Sequence, residues 1–340
     1  MINGHGDDSH KYKKHIRANF SSNIYGEIDQ SALTAHIREN TSVIKNYPEP
    51  TPATTERILS SLLKVGDDCV CVTNGATESI YLIAQTYRES VSAIVQPTFS
   101  EYADSCKLHS HKVIDVFSVY DTPKEANVVW LCNPNNPTGK AQNKAQLLDF
   151  IKANKDKLFV IDQSYQHFTK KELITEHECV EEGNIIIINS MTKKYAIPGI
   201  RVGYAVSCAN IMNKIKQHRM PWSVNAMAIL CSNFLLTSGK SEVVDIDFLL
   251  AEKERFVSEL EKLDITKIGE SDTHYMILEL INGTAKDLKE YLVNEHSVLI
   301  RDASNFVGLT DKHIRIATQD RKSNDLLIKA LKEWKKSINS

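Results

Sequence analysis

Ile185-Ile-Ile-Ile-Asn-Ser-Met-Thr-Lys-Lys-Tyr-Ala-Ile-Pro-Gly-Ile-Arg201 joins an unbroken isoleucine run to a polar cluster carrying two lysines. Consecutive β-branched residues read as a strand buried on both faces, so the lysines emerge at a sheet edge. Similar runs precede it: Cys69-Val-Cys-Val-Thr73, Ser92-Ala-Ile-Val95, Asn127-Val-Val-Trp-Leu131 and Leu158-Phe-Val-Ile161. Helical patterns lie between them, as over 78–87 and 144–152. Near-continuous apolar strands separated by helices predict an α/β fold, with a mostly parallel sheet covered on both faces.

The texture changes after about residue 240. A charged helical pattern spans 241–263, followed by the strand-like Tyr275-Met-Ile-Leu-Glu-Leu280 and a helix from about 285. Strands are expected over 297–301 and 313–317, and a closing helix over 324–337. This predicts a smaller α+β domain over 241–340, a large domain over 47–240, and an arm over 1–46 that contributes to the small domain. No internal repeat or low-complexity linker interrupts them.

A chain of 340 residues is long enough for two such cores. Its 41 basic and 43 acidic residues leave a net charge of -2, which gives no electrostatic case for nucleic acid. The start of the chain is polar, without the apolar core of a signal peptide. The longest aliphatic run is far short of the roughly 20 residues that span a bilayer. The seven scattered cysteines read as reduced thiols, so a cytoplasmic protein is expected, with no metal and no membrane partner.

Four polar clusters follow strands of the middle region, where open α/β sheets bind ligands. Asn74-Gly-Ala-Thr-Glu78 allows close backbone approach to a phosphate at a helix N-terminus, though a plain strand-to-helix turn has the same look. Asn133-Pro-Asn-Asn-Pro-Thr-Gly139 holds its asparagines rigidly through two prolines. Asp162-Gln-Ser-Tyr165 places a carboxylate at a buried strand end, where it needs a cation such as a protonated pyridine nitrogen; a helix-capping aspartate is the alternative. Within 190–201, a lysine can condense with an aldehyde once its surroundings free the amine, and Ser190 and Arg201 can hold a phosphate. A Lys-Lys pair alone reads as a solvated surface. The four clusters in this order point to one cofactor site.

These clusters resemble those of fold-type I pyridoxal-phosphate enzymes of the aminotransferase class I/II superfamily, over nearly the whole chain. Within it, the chain is most similar to the threonine-phosphate decarboxylase branch, relatives of histidinol-phosphate aminotransferases. His5-Gly6, Asn19-Phe-Ser-Ser-Asn-Ile24, Pro97-Thr-Phe-Ser-Glu-Tyr102, Tyr195-Ala-Ile-Pro-Gly-Ile-Arg-Val-Gly-Tyr204, Met220-Pro-Trp-Ser-Val-Asn-Ala226 and Leu299-Ile-Arg-Asp-Ala-Ser-Asn-Phe-Val-Gly-Leu309 carry the branch likeness. Departures are Asp7 and Gln319, where the branch has a glycine and often an arginine, and His274, where asparagine is usual.

The resemblance implies a large domain with a mostly parallel seven-stranded sheet, a smaller α+β domain, and pyridoxal 5'-phosphate as cofactor. Lys193 would carry it, since Lys193 and not Lys194 keeps the family's spacing to Ser190 and Arg201. Asp162 would meet the ring nitrogen, Asn136 and Tyr165 the phenolic oxygen, and Phe99 the ring face. Gly75, Ala76, Thr77, Ser190 and Arg201 would hold the phosphate, with Tyr47 reaching in from the second subunit of a homodimer. For the substrate, Arg315 would clamp a carboxylate, Arg301 and His5 a distal phosphate, and Asn23 and Asn136 would add contacts. The expected reaction is decarboxylation of L-threonine O-3-phosphate, as in cobalamin biosynthesis, or of L-serine O-phosphate. Amino transfer with histidinol phosphate is the alternative. A silent ligand-binding module is a third reading, opposed by Lys193, Asp162 and Asn136 all being present.

Overall fold

Residues 7–239 and 244–338 are described by the structure, a computed structural model. The isoleucine run belongs to the strand Ile185–Ser190, near the middle of a seven-stranded sheet. The order across the sheet is Val70–Thr73, Gly203–Val206, Ile185–Ser190, Leu158–Asp162, Val128–Cys132, Val91–Val95 and Lys112–Val116. All pairings among the last five strands are parallel; Gly203–Val206 runs against both its neighbours.

Side chains alternate across a strand, so the isoleucines feed two cores. Ile186 and Ile188 join Trp130 and Val160 on one face; Ile185 and Ile187 join Val129, Phe159 and Ile161 on the other. Each such side chain contributes roughly 1.5–3 kcal/mol by leaving water. Two strands of this sheet escape the sequence reading. Lys112–Val116 is a half-exposed edge strand with charged residues at its first and fourth positions, and Gly203–Val206 is four residues beginning with glycine.

A second sheet is wholly antiparallel, in the order Arg301–Asp302, His313–Ala317, Tyr275–Leu280, Thr266–Ile268. Helices Ile246–Glu261 and Arg321–Ile338 pack on it through Phe256, Leu260, Leu327 and Leu331. The first begins later than the charged pattern suggests because Asp245 accepts a bond from the Phe248 N–H and caps it there; residues 240–243 lie outside the described part.

The single strand expected over 297–301 is two. Val298–Leu299 pairs in parallel with Ala18–Asn19 of the arm, whereas Arg301–Asp302 pairs with His313–Ala317. The chain changes partners at Ile300, and this stitches the arm to the second sheet. Phe20 stacks towards Phe256 at 6.2 Å, and its carbonyl accepts from the Ala317 N–H. All seven cysteines are free thiols, and no described helix is long and apolar enough to cross a membrane.

Candidate active site

Thr73, Cys132, Asp162 and Ser190 end their strands at one edge of the large sheet. Beyond that edge lies a cavity of about 250 Å3, lined by Ala76, Thr77, Phe99, Asn136, Asp162, Tyr165, Ser190, Lys193, Arg201 and Arg315. Residues from distant parts of the sequence therefore share one space.

The helix Gly75–Thr86 opens onto the cavity without a side-chain cap. Its first-turn N–H groups and positive dipole end suit an anion. Gly75 has φ +78°, and a Cβ there would meet Arg201 Nη2 at 2.5 Å, so the guanidinium lies across the helix start. Ser190 begins the short helix Met191–Lys194 without using its hydroxyl as a cap.

Lys193 projects from that helix, donates to the Ser22 carbonyl at 2.8 Å, and lies 5.8 Å from the Tyr165 ring centre. Burial, then Arg315 and Arg201, push its amine down to about 7. Lys194 rests over the Tyr195 ring at 5.0 Å and is not part of the cavity wall.

Asp162 is buried and accepts two bonds: from the Tyr102 hydroxyl at 2.7 Å and from the Ser164 N–H at 2.9 Å. Burial raises its affinity for a proton, and the Ser164 and Tyr102 donors oppose that. Tyr165 is buried against Tyr275 at 4.9 Å, and burial pushes its hydroxyl pKa up.

The Asn-Pro loop is pinned at Asn135, which donates to the Pro97 carbonyl at 2.9 Å and accepts from the Tyr275 hydroxyl at 3.1 Å. That fixes the next residue, Asn136, whose amide oxygen accepts from Arg315. Arg315 also donates to the Ser21 carbonyl, while its Nε has no partner among the described residues. Arg301 faces Arg315 directly across the ladder, outside the cavity wall. It donates to Asn305 at 2.7 Å and lies 5.6 Å from the Phe306 ring centre. Burial, and then Arg315, push the Arg301 guanidinium down to about 10. Two guanidinium groups on facing positions repel each other, and Asp302 and Asp8 partly offset this at Arg301.

Asn23 is fully buried with φ +53°, and neither amide atom makes a well-formed hydrogen bond among the described residues. Tyr47 is 85% exposed, stands outside the cavity and leans on Trp222 at 5.4 Å. Gly75 shapes the helix start without lining the cavity, and His5 lies outside the described residues. The sequence reading missed Asp7, Ser22 and Tyr102 in the wall. Asp7 accepts from Ser9 at 2.8 Å and Asn19 at 3.0 Å. Tyr102 stood inside a quoted motif, and nothing in the motif signals that its hydroxyl reaches Asp162.

An aldehyde-bearing phosphate ester with a basic ring nitrogen fits this donor set: a lysine with a freed amine, a buried carboxylate, and a helix start crossed by an arginine. A family model described as aminotransferase class I and II matches residues 16–331. The chain is 28% identical over 329 residues to the threonine-phosphate decarboxylase of Salmonella typhimurium, covering 92% of this chain and 90% of that one. It is also 28% identical over 309 residues to the histidinol-phosphate aminotransferase of Thermoanaerobacter pseudethanolicus, covering 86% and 85%. The crystal structure of L-threonine-O-3-phosphate decarboxylase from Porphyromonas gingivalis superposes with a TM-score of 0.91 at 35% identity, covering 94% of this chain and 99% of that one.

Proposed function

Because the chain belongs to the aminotransferase class I and II family, whose cofactor is pyridoxal 5'-phosphate, we propose that it decarboxylates a phosphorylated amino acid. L-threonine O-3-phosphate is the first choice of substrate and L-serine O-phosphate the second. The observation that carries this choice is the Arg301–Arg315 pair, two guanidinium groups on facing positions of one ladder. A substrate with both a carboxylate and a phosphate matches two guanidinium groups with two anionic ends, each suited to a forked donor. Histidinol phosphate has only the phosphate. Similarity to the two decarboxylases supports the same reading.

The cofactor, when bound, supplies an electron sink for charge left at the substrate's α-carbon. In the proposed arrangement Lys193 would hold it, and the Lys193 amine would deliver a proton to the substrate's α-carbon. Asp162 keeps the ring nitrogen protonated, while Asn136 and Tyr165 bond the phenolic oxygen and Phe99 covers the ring face. Gly75, Ala76, Thr77, Ser190 and Arg201 hold the phosphate, with Tyr47 supplied by the partner subunit of a homodimer. Arg315 would hold the substrate carboxylate, and Asn23 would add a contact. Arg301 and His5 hold the distal phosphate. The large domain over 47–240 thus carries the cofactor; the small domain over 241–340 and the arm close over the substrate.

Amino transfer is the competing outcome, supported by equal identity to the histidinol-phosphate aminotransferase. Purified holoenzyme is given O-phospho-L-threonine, O-phospho-L-serine or histidinol phosphate with 2-oxoglutarate, with separate readouts of carbon dioxide and glutamate. Carbon dioxide from a phosphorylated amino acid is expected. Glutamate from histidinol phosphate without carbon dioxide from either amino acid replaces the reading with the transaminase.

A further inference from the structure

We propose that Tyr102 is a positioning residue for the cofactor: its hydroxyl fixes the Asp162 carboxylate in the charged form and in the orientation that meets the ring nitrogen. The inference rests on the reading of Asp162 given above and extends it to a residue outside the expected site set.

Tyr102 is in the first turn of the helix Glu101–Leu108 and is 1% exposed. Its ring stacks on Trp130 at 5.8 Å with planes 21° apart, and Phe99 meets it edge-on at 5.9 Å. Held from two sides, the ring cannot swing, and its hydroxyl ends 2.7 Å from Asp162 Oδ2. The Ser164 N–H takes Oδ1, so the two donors fix both oxygens and hence the carboxylate plane. Burial favours a proton on this carboxylate, and the Ser164 and Tyr102 donors to the charged form oppose that preference. The Tyr102 hydroxyl keeps its own proton, because burial and Asp162 both hold it there, so it always donates. Phe99 and Tyr102 are three residues apart at one helix start, which couples the residue over the ring face to the anchor of the ring nitrogen's partner.

Packing alone would leave the hydroxyl dispensable, since phenylalanine fills the same space between Trp130 and Phe99. The test compares Y102F and D162N with wild type as holoenzymes and apoproteins. Three quantities are read: cofactor affinity, the pH at which the bound cofactor's absorbance changes, and kcat separately from KM. Losing a bond to a charged acceptor is expected to weaken cofactor binding and lower kcat by about 10–100-fold with KM nearly unchanged, and to move the absorbance midpoint by about one pH unit. Y102F within twofold of wild type in all three, while D162N is impaired, overturns the inference alone. D162N that matches wild type overturns the Asp162 reading and this inference with it. Should Y102F fail to fold, Y102H, which keeps a ring donor, decides: kcat within about tenfold of wild type supports the role, and a larger loss overturns it.

Discussion

The Lys193 amine is enclosed beside Arg315 and Arg201, and these surroundings bring its pKa to about 7. Only the neutral amine attacks an aldehyde, so uptake of pyridoxal phosphate by the apoprotein is expected to quicken from pH 6 to 8 and then level off. Stopped-flow absorbance checks this; a rate still rising towards pH 10 means an ordinary lysine. The same shift bears on stability. The folded pKa is below the unfolded value of roughly 10.4, so the fold disfavours the charged form. The penalty is greatest below pH 7 and fades as pH rises from 7 towards the unfolded value. The K193M apoprotein is therefore expected to melt above wild type at pH 6, with the gap closing by pH 10. The two arginines separate by substrate: R301Q is expected to raise KM for O-phospho-L-threonine by about 10–100-fold and to leave L-threonine binding alone, whereas R315Q weakens both. A loss of both ligands in R301Q assigns it to the carboxylate instead. Residue types and spacing pointed to many of the residues that line the cavity. They did not announce the facing register of Arg301 and Arg315, which depends on strand pairing, or the Tyr102 hydroxyl on Asp162.

At the scale of elements, the strand Gly203–Val206 is what presses Arg201 against the helix start, and its first residue explains how. A Cβ on Gly203 would approach the Ala76 amide nitrogen to 2.5 Å and the Asn189 carbonyl oxygen to 2.8 Å, both backbone atoms. G203A must therefore push the strand away from the helix Gly75–Thr86. Overpacking of this kind costs ~1–3 kcal/mol, so a drop of several degrees in melting temperature is expected, with cofactor affinity reduced at least tenfold because Ala76 moves. Thermal unfolding and cofactor titration check it, and a variant unchanged in both means the strand shifts freely. The middle strands and their helices were legible because continuous apolar runs have few other readings. Gly203–Val206 was not, since a four-residue strand inside a motif rich in site residues carries no period of its own. Lys112–Val116 is an edge strand and lacks the apolar run that marked the others.

At the scale of the whole molecule, the cavity draws on the large sheet, the second sheet and the arm together, and Tyr47 is among the expected residues that do not line it. Tyr47 is out in solvent, and beside it Ile44, Met220 and Trp222 are also exposed. The Trp222 N–H donates to the Pro50 carbonyl at 2.8 Å, which joins the two segments into one surface. An apolar surface of this kind suits a partner, and a two-fold pairing would bring each Tyr47 to the other subunit's site. Sedimentation is then expected to give twice the mass of one chain, and W222E to give a single chain with weakened cofactor binding. Subunit mixing is the sharper check. K193A removes the lysine and Y47A removes the tyrosine, and each homodimer carries its lesion in both sites. If Tyr47 acts across the interface, a hybrid of the two has one site with both lesions and one with neither, and half of randomly paired dimers are hybrids, so mixing restores activity towards about a quarter of wild type. If Tyr47 acts within its own subunit, every site of the hybrid keeps one lesion and mixing restores nothing.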